Sequence, residues 1–170
     1  MTGLIVTAYV GLGSNLESPL GDRARHLELA SESLSGAGRV TKLSSVFETT
    51  PWGVEGNQPD YLNQVAALET DLDPAGLVSR MLGIESDLGR VRAERYGSRI
   101  IDLDVLLMGD TVIDETDVQV PHPRLHERAF VLVPLTLIAP DAIHPILGAT
   151  MKELLARVDS SSVRPFTSSD

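Results

Sequence analysis

The sequence predicts an α+β fold, a ferredoxin-like βαββαβ core with an antiparallel sheet and helices on one face, plus a C-terminal helical extension. Three observations carry that expectation. Short runs rich in β-branched and long apolar residues recur around 4–13, 40–48, 61–69 and 99–108. Between the first and second, and again between the third and fourth, apolar residues return at helical spacing. Glycine, proline and asparagine clusters punctuate the joins, giving the order strand, helix, strand, strand, helix, strand.

The elements follow in turn. Ile5–Val10 is the first strand, and Gly11-Leu-Gly-Ser-Asn15 reads as a tight structural turn leaving it. That stretch lacks the lysine and spacing of a P-loop and the third glycine of a dinucleotide fingerprint. Ser18 as N-cap and Pro19 at the first helical position open a helix with Leu20, Ala24, Leu27, Ser31 and Leu34 at helical spacing, stopped by Gly36-Ala-Gly38. His26 lies off that stripe and is expected in solvent. Val40–Glu48 is the second strand. The loop over 49–60 is long, rich in turn formers and holds the single tryptophan, Trp52; such loops often bind ligands. Tyr61–Glu69 is the third strand, with Tyr61, Asn63 and Val65 on one face. An aromatic ring beside an amide can clamp and read a flat heterocycle; Tyr61 can equally cap the core.

Asp73-Pro74 repeats the N-cap and first-turn proline, and Leu77, Met81, Ile84 and Leu88 form the stripe that Gly89 ends. After the fourth strand, Thr111–Ile113 and Val118–Val120 read as short strands. Pro121-His-Pro123 sets His122 on a constrained bend. Residues 124–139 are partly helical, with Pro134 at a helix start or kink, and supply Arg128 and Phe130. Thr150-Met-Lys-Glu153 fits a capping box. Residues 1–159 are expected as a single domain, and the Ser- and Thr-rich stretch 160–170 as a loose tail.

The chemistry concentrates at Arg99–Met108. Strand alternation puts Asp102 and Asp104 on one side with Ile100 and Leu106. Two carboxylates so close among apolar neighbours repel and lose hydration, so a positive group must sit with them. Residues 90–99 hold four arginines and one glutamate, a net +3 in a chain of net −10. A basic island in an acidic protein points to a local anion site and argues against general nucleic-acid binding. Acids that can hold a metal, beside guanidinium groups that can hold phosphate, suit a metal–nucleotide site. The same residues also fit exposed acids paired with Arg99 and Arg95, as in a regulatory domain that binds a small anion. A metal-dependent phosphohydrolase is a further alternative.

Composition narrows the rest. With no cysteine, disulfide scaffolds and thiolate metal sites are excluded. No positively charged leader and no run of eighteen apolar residues occurs, so a signal peptide and a membrane span are not expected. A cytoplasmic location is the expectation.

With these motifs in hand, the chain resembles the 6-hydroxymethyl-7,8-dihydropterin pyrophosphokinase family of folate biosynthesis. The most specific stretch is Arg95-Tyr-Gly-Ser-Arg-Ile-Ile-Asp-Leu-Asp-Val-Leu106; Gln58–Asn63, Gly89–Arg92, Val120-Pro-His122 and Arg128-Ala-Phe130 support it in order. The resemblance implies pyrophosphoryl transfer from ATP, the co-substrate, to the hydroxymethyl group of a reduced pterin, releasing AMP. It implies that Asp102 and Asp104 ligate two magnesium ions, that Arg99, His122 and Arg128 contact ATP, and that Arg90, Arg92 and Arg99 serve catalysis. It places Thr50, Pro51, Tyr61, Asn63, Tyr96 and Phe130 around the pterin. A monomer with no nucleic-acid or membrane partner is expected. The arginine segment is about one residue shorter than in enterobacterial-type members, Tyr96 stands where those have tryptophan, and Asp117 stands where some have arginine near the adenine.

Overall fold

The computed structural model describes residues 3–50, 59–90 and 99–167. Strand β1 (Val6–Ser14) runs through the middle of the main sheet, with β5 (Asp102–Met108) on one side and β4 (Tyr61–Thr70) on the other, both antiparallel. β2 (Arg39–Leu43) and β3 (Phe47–Thr49) both pair with β4, and β8 (Arg164–Pro165) adds to β3. A separate hairpin joins β6 (Ile113–Asp114) to β7 (Gln119–Val120). The expected βαββαβ order is therefore present, with the last strand of the core beside the first.

Alternation along β1 divides the two faces. Ala8, Val10 and Leu12 point to the helices α1 (Arg23–Ser33) and α2 (Pro74–Asp87), where Leu27, Ala30, Leu77, Met81 and Ile84 complete one core. At roughly 1.5–3 kcal/mol for each fully buried large side chain, this layer supplies much of the drive to fold. On the opposite face, Leu106 and Val65 pack beneath α3 (Ala129–Ile138) and α4 (Met151–Leu155) in a second core with Leu132, Leu135 and Met151. The C-terminal extension is thus the cover of the second face, and it leaves part of that face open.

Several sequence expectations change. Gly11-Leu-Gly-Ser14 is strand, paired on both edges for part of its length, because residues without a bulky side chain still fill ladder positions. α1 starts at Arg23, capped by the Asp22 carboxylate accepting from Arg25 N–H, and not at Pro19. The Ser18 hydroxyl instead accepts from Leu20 N–H and meets His26 Nε2 at 2.7 Å. His26 is fully buried between Ser14 and Ser18, the reverse of a solvated helix residue, and burial lowers its pKa. The second strand divides at Ser44, whose hydroxyl accepts from Val65 N–H while its own N–H donates to Val65 C=O. The fourth strand begins at Asp102 and not at Arg99. Pro134 lies inside α3. Part of the expected loose tail is ordered: β8 pairs with β3, and Phe166 N–H donates to Val46 C=O at 3.0 Å. The helix over 74–87 with its Asp73 cap, and the Thr150–Glu153 capping box, are as expected.

Candidate active site

The open part of the second face is a cavity of about 240 Å³. Its floor is the sheet itself. In register across the strands, Asp102 lies beside Gly13 and Gly13 beside Asn63; one step along, Asp104 lies beside Gly11 and Gly11 beside Val65. The central strand therefore offers bare backbone at the two positions that face the cavity. A β-carbon on Gly13 would come within 3.4 Å of Asn63 Oδ1 and 3.7 Å of the Tyr61 ring. The carboxylates stand on one side of this gap and Tyr61 and Asn63 on the other. Val10 and Leu12, buried under the helices, leave Tyr9, Gly11 and Gly13 for the opposite face, so alternation could have assigned the glycines to the floor.

Arg99, Asp102, Asp104, His122, Arg128, Thr50, Tyr61, Asn63 and Phe130 all line this one cavity. Arg90 joins indirectly: its guanidinium donates to Asp102 Oδ1 at 2.9 Å and to Glu85 Oε2 at 2.5 Å. Arg92, Pro51 and Tyr96 lie outside the described residues. The residues named from the sequence thus meet in one cavity from five segments between Thr50 and Phe130.

Two carboxylates have different surroundings. Asp102 takes Arg90 and, at 3.2 Å, Arg99 on the same oxygen. Asp104 has its pKa pushed up to about 7, chiefly by burial and then by the Asp102 charge, with Arg128 pulling it the other way. An uncompensated second negative charge is costly there, and a cation between the acids would remove that cost. His122 shows the opposite sign: burial, followed by the Arg128 charge, lowers its pKa to about 4. Its Nδ1 accepts from Arg124 N–H at 3.1 Å, so the neutral ring keeps its proton on Nε2 as a donor. Burial raises the Tyr61 pKa and keeps its phenol un-ionised. Asn63 donates from Nδ2 to Thr49 Oγ1 at 2.8 Å, which fixes the amide and leaves its carbonyl oxygen toward the gap.

Two supporting residues escaped the sequence reading. Glu85, on the buried face of α2 and only 3% exposed, accepts from Leu103 N–H at 2.7 Å and from Arg90. An acid on the apolar stripe, one residue from Ile84, was the available signal. Asn15, fully buried, accepts from Arg99 N–H at 2.7 Å and donates to Pro59 C=O at 3.1 Å. It ties the backbone before Tyr61 to that of Arg99. Asn15→Ala leaves a buried N–H without its acceptor and should lower stability by about 1–3 kcal/mol. Equilibrium unfolding in urea checks this; an unchanged midpoint would remove Asn15 from that role.

Residues 9–140 match the family model described as 7,8-dihydro-6-hydroxymethylpterin-pyrophosphokinase. The chain is 44% identical over 158 residues to the 2-amino-4-hydroxy-6-hydroxymethyldihydropteridine pyrophosphokinase of Methylorubrum extorquens, covering 92% of this chain and 96% of that one. The Haemophilus influenzae protein of the same name is 43% identical over 141 residues, covering 83% and 86%. Among solved structures, Plasmodium falciparum HPPK-DHPS wild type aligns with a TM-score of 0.70 at 16% identity, over 91% of this chain and 45% of that longer one. That last likeness concerns the fold.

Proposed function

Since the chain belongs to the 7,8-dihydro-6-hydroxymethylpterin-pyrophosphokinase family, and so is a pyrophosphokinase of folate biosynthesis, we propose that it transfers pyrophosphate from ATP to 6-hydroxymethyl-7,8-dihydropterin in a magnesium-dependent reaction. The products are the pterin diphosphate and AMP. One observation carries this reading: a single cavity has an acid pair with cationic donors at one side, an aromatic and amide set at the other, and bare glycine between.

The acid pair suits magnesium. Both donors are carboxylates, the oxygen ligands this ion prefers, and the raised Asp104 pKa reports a site that gains from a nearby cation. When bound, magnesium neutralises phosphate charge and holds phosphate oxygens in place. The chain's own residues do the remaining work. Arg99 and Arg128 offer guanidinium donors to phosphate oxygens, and neutral His122 offers Nε2–H without adding charge. Tyr61 and Phe130 hold the flat bicycle between them, and the fixed Asn63 amide reads its edge. So placed, the hydroxymethyl oxygen attacks the β-phosphorus of ATP and gives up its proton to water as the bond from that phosphorus to the AMP oxygen breaks. Alignment of the attacking oxygen with the leaving one supplies a large share of the acceleration.

Phosphorus NMR of the protein with ATP and magnesium, with and without the pterin, tests the reading. AMP and a pterin diphosphate appearing only with pterin are expected. ADP and phosphate regardless of pterin would make it a hydrolase, and no turnover by folded protein would favour an anion-binding regulatory domain. Phe130→Ala should weaken pterin binding about tenfold or more, given about 0.5–1.5 kcal/mol for an aromatic pair beyond its buried area. Fluorescence titration with pterin checks it, and an unchanged affinity would take Phe130 out of the pocket.

A further inference from the structure

The C-terminal strand reaches the pterin side of the cavity from behind. Arg164 contacts the Asp60 carboxylate at 2.5 Å and Glu48 Oε1 at 3.4 Å. Arg23, from α1, donates to the other Glu48 oxygen and to the Asp60 carbonyl, each at 2.8 Å. Phe166 packs against the main core beneath the Arg23 guanidinium, 5.8 Å from its ring centre. Two cations and two anions thus clamp the positions next to Thr49 and Tyr61.

From there the connections to the cavity are short. Asp60 directly precedes Tyr61. Glu48 sits between Phe47 and Thr49 on β3, whose register places Phe47 beside Asn63 and Thr49 beside Tyr61. Pro165 lies on the other side of Phe47 in the same row. Thr49 then sets the Asn63 amide through its hydroxyl. Arg164 and its strand lie beyond residue 140, where the family match ends, whereas Arg23, Glu48 and Asp60 lie within it.

We propose that Arg164 is a positioning residue for the pterin, acting through Asp60 and β3 on Tyr61 and Asn63; this rests on the function proposed above. Its ion-pair partners among the described residues are Asp60 and Glu48, which adjoin Tyr61 and Thr49, so its effect falls first on the pterin side. An isolated exposed ion pair contributes little. Here the pair is reinforced by the β3 ladder and by Arg23 on the same two acids, and it bears directly on substrate-lining residues.

Steady-state kinetics of the full chain, with ATP and 6-hydroxymethyl-7,8-dihydropterin varied separately, provide the test. Arg164→Ala should raise KM for pterin about fivefold, with KM for ATP and kcat within about twofold of wild type. Arg164→Lys should recover most of the loss. Asp60→Asn removes the partner and leaves the β3–β8 ladder, so it should reproduce the effect, and the double variant should be no worse than either single one. An unchanged pterin KM, a parallel rise in both KM values, or additive effects in the double variant would overturn the proposal. Wild-type turnover in the same assay reports separately on the parent function, so failure of that reading appears in the wild type and failure of this one only in the variants.

Discussion

Asp104→Asn should remove turnover, by about a thousandfold or more, while making the free protein more stable to heat. On the function proposed above, the loss follows from the deletion of one of two charged oxygen ligands beside the transferred phosphate, where electrostatic groups carry large shares of the barrier. The gain follows from the pKa. The folded protein holds the Asp104 proton up to about pH 7, against a usual value of 3.8. Between those two values the unfolded chain has released its proton and the folded one resists doing so, so this residue costs stability as pH rises through that window. The favourable contribution is complete below the unfolded value and gone above about 7. Asparagine carries no charge to bury, so the variant should melt higher above pH 7, by several degrees at about 2–4 °C per kcal/mol for a chain of this size. The two proteins should converge toward pH 4. Melting curves across pH check the sign, and a variant that melts lower than wild type at pH 8 would refute the assignment of charge repulsion. With magnesium limiting, activity of the wild type should likewise decline as pH falls, as protons compete with the metal for the carboxylate. Asp102→Ala should also nearly abolish turnover, but without the stability gain, because Asp102 balances Arg90 and Arg99.

The second large effect concerns a residue with no side chain. Gly13→Val should lower kcat/KM for the pterin about a hundredfold, equivalent to about 2.7 kcal/mol of binding, with the fold retained. The strand conformation suits valine, which packs better than glycine on a pleated surface. The new methyl groups would occupy the gap between Asp102 and Asn63, starting from a β-carbon only 3.4 Å from the Asn63 oxygen. Circular dichroism establishes the fold, and calorimetric titration with pterin measures the loss. A variant that binds pterin normally would show that the ligand does not lie across this floor.

The contrast between these two positions indicates what could be read from the linear chain. Asp102 and Asp104 announced themselves through local chemistry, because charges in an apolar run are costly wherever they fold. Tyr61 and Asn63 were placed on the right face by alternation alone. Gly11 and Gly13 were read as a turn, since the properties that make glycine a turn former also suit a strand that must leave space. His26 and Ser18 were misjudged because burial of a polar ring depends on partners from another segment, here Ser14. The ordered C-terminal strand was missed for a related reason: Arg164 and Phe166 gain their contacts from Asp60, Val46 and Arg23, far away in sequence. Local signals specify elements; long-range pairing decides what polar residues do.

The Glu85 carboxylate has a consequence for how molecules of this protein meet one another. β5 is a terminal strand of its sheet, and such a strand offers outward amide groups on which a neighbouring chain can add. The Leu103 N–H, midway between the two acids, is already given to Glu85, and Arg90 and Arg99 lie over the same margin. A side chain thus fills the place that a foreign strand would take. The strand that carries the acid pair is thereby kept from serving as a template for sheet growth in a crowded solution.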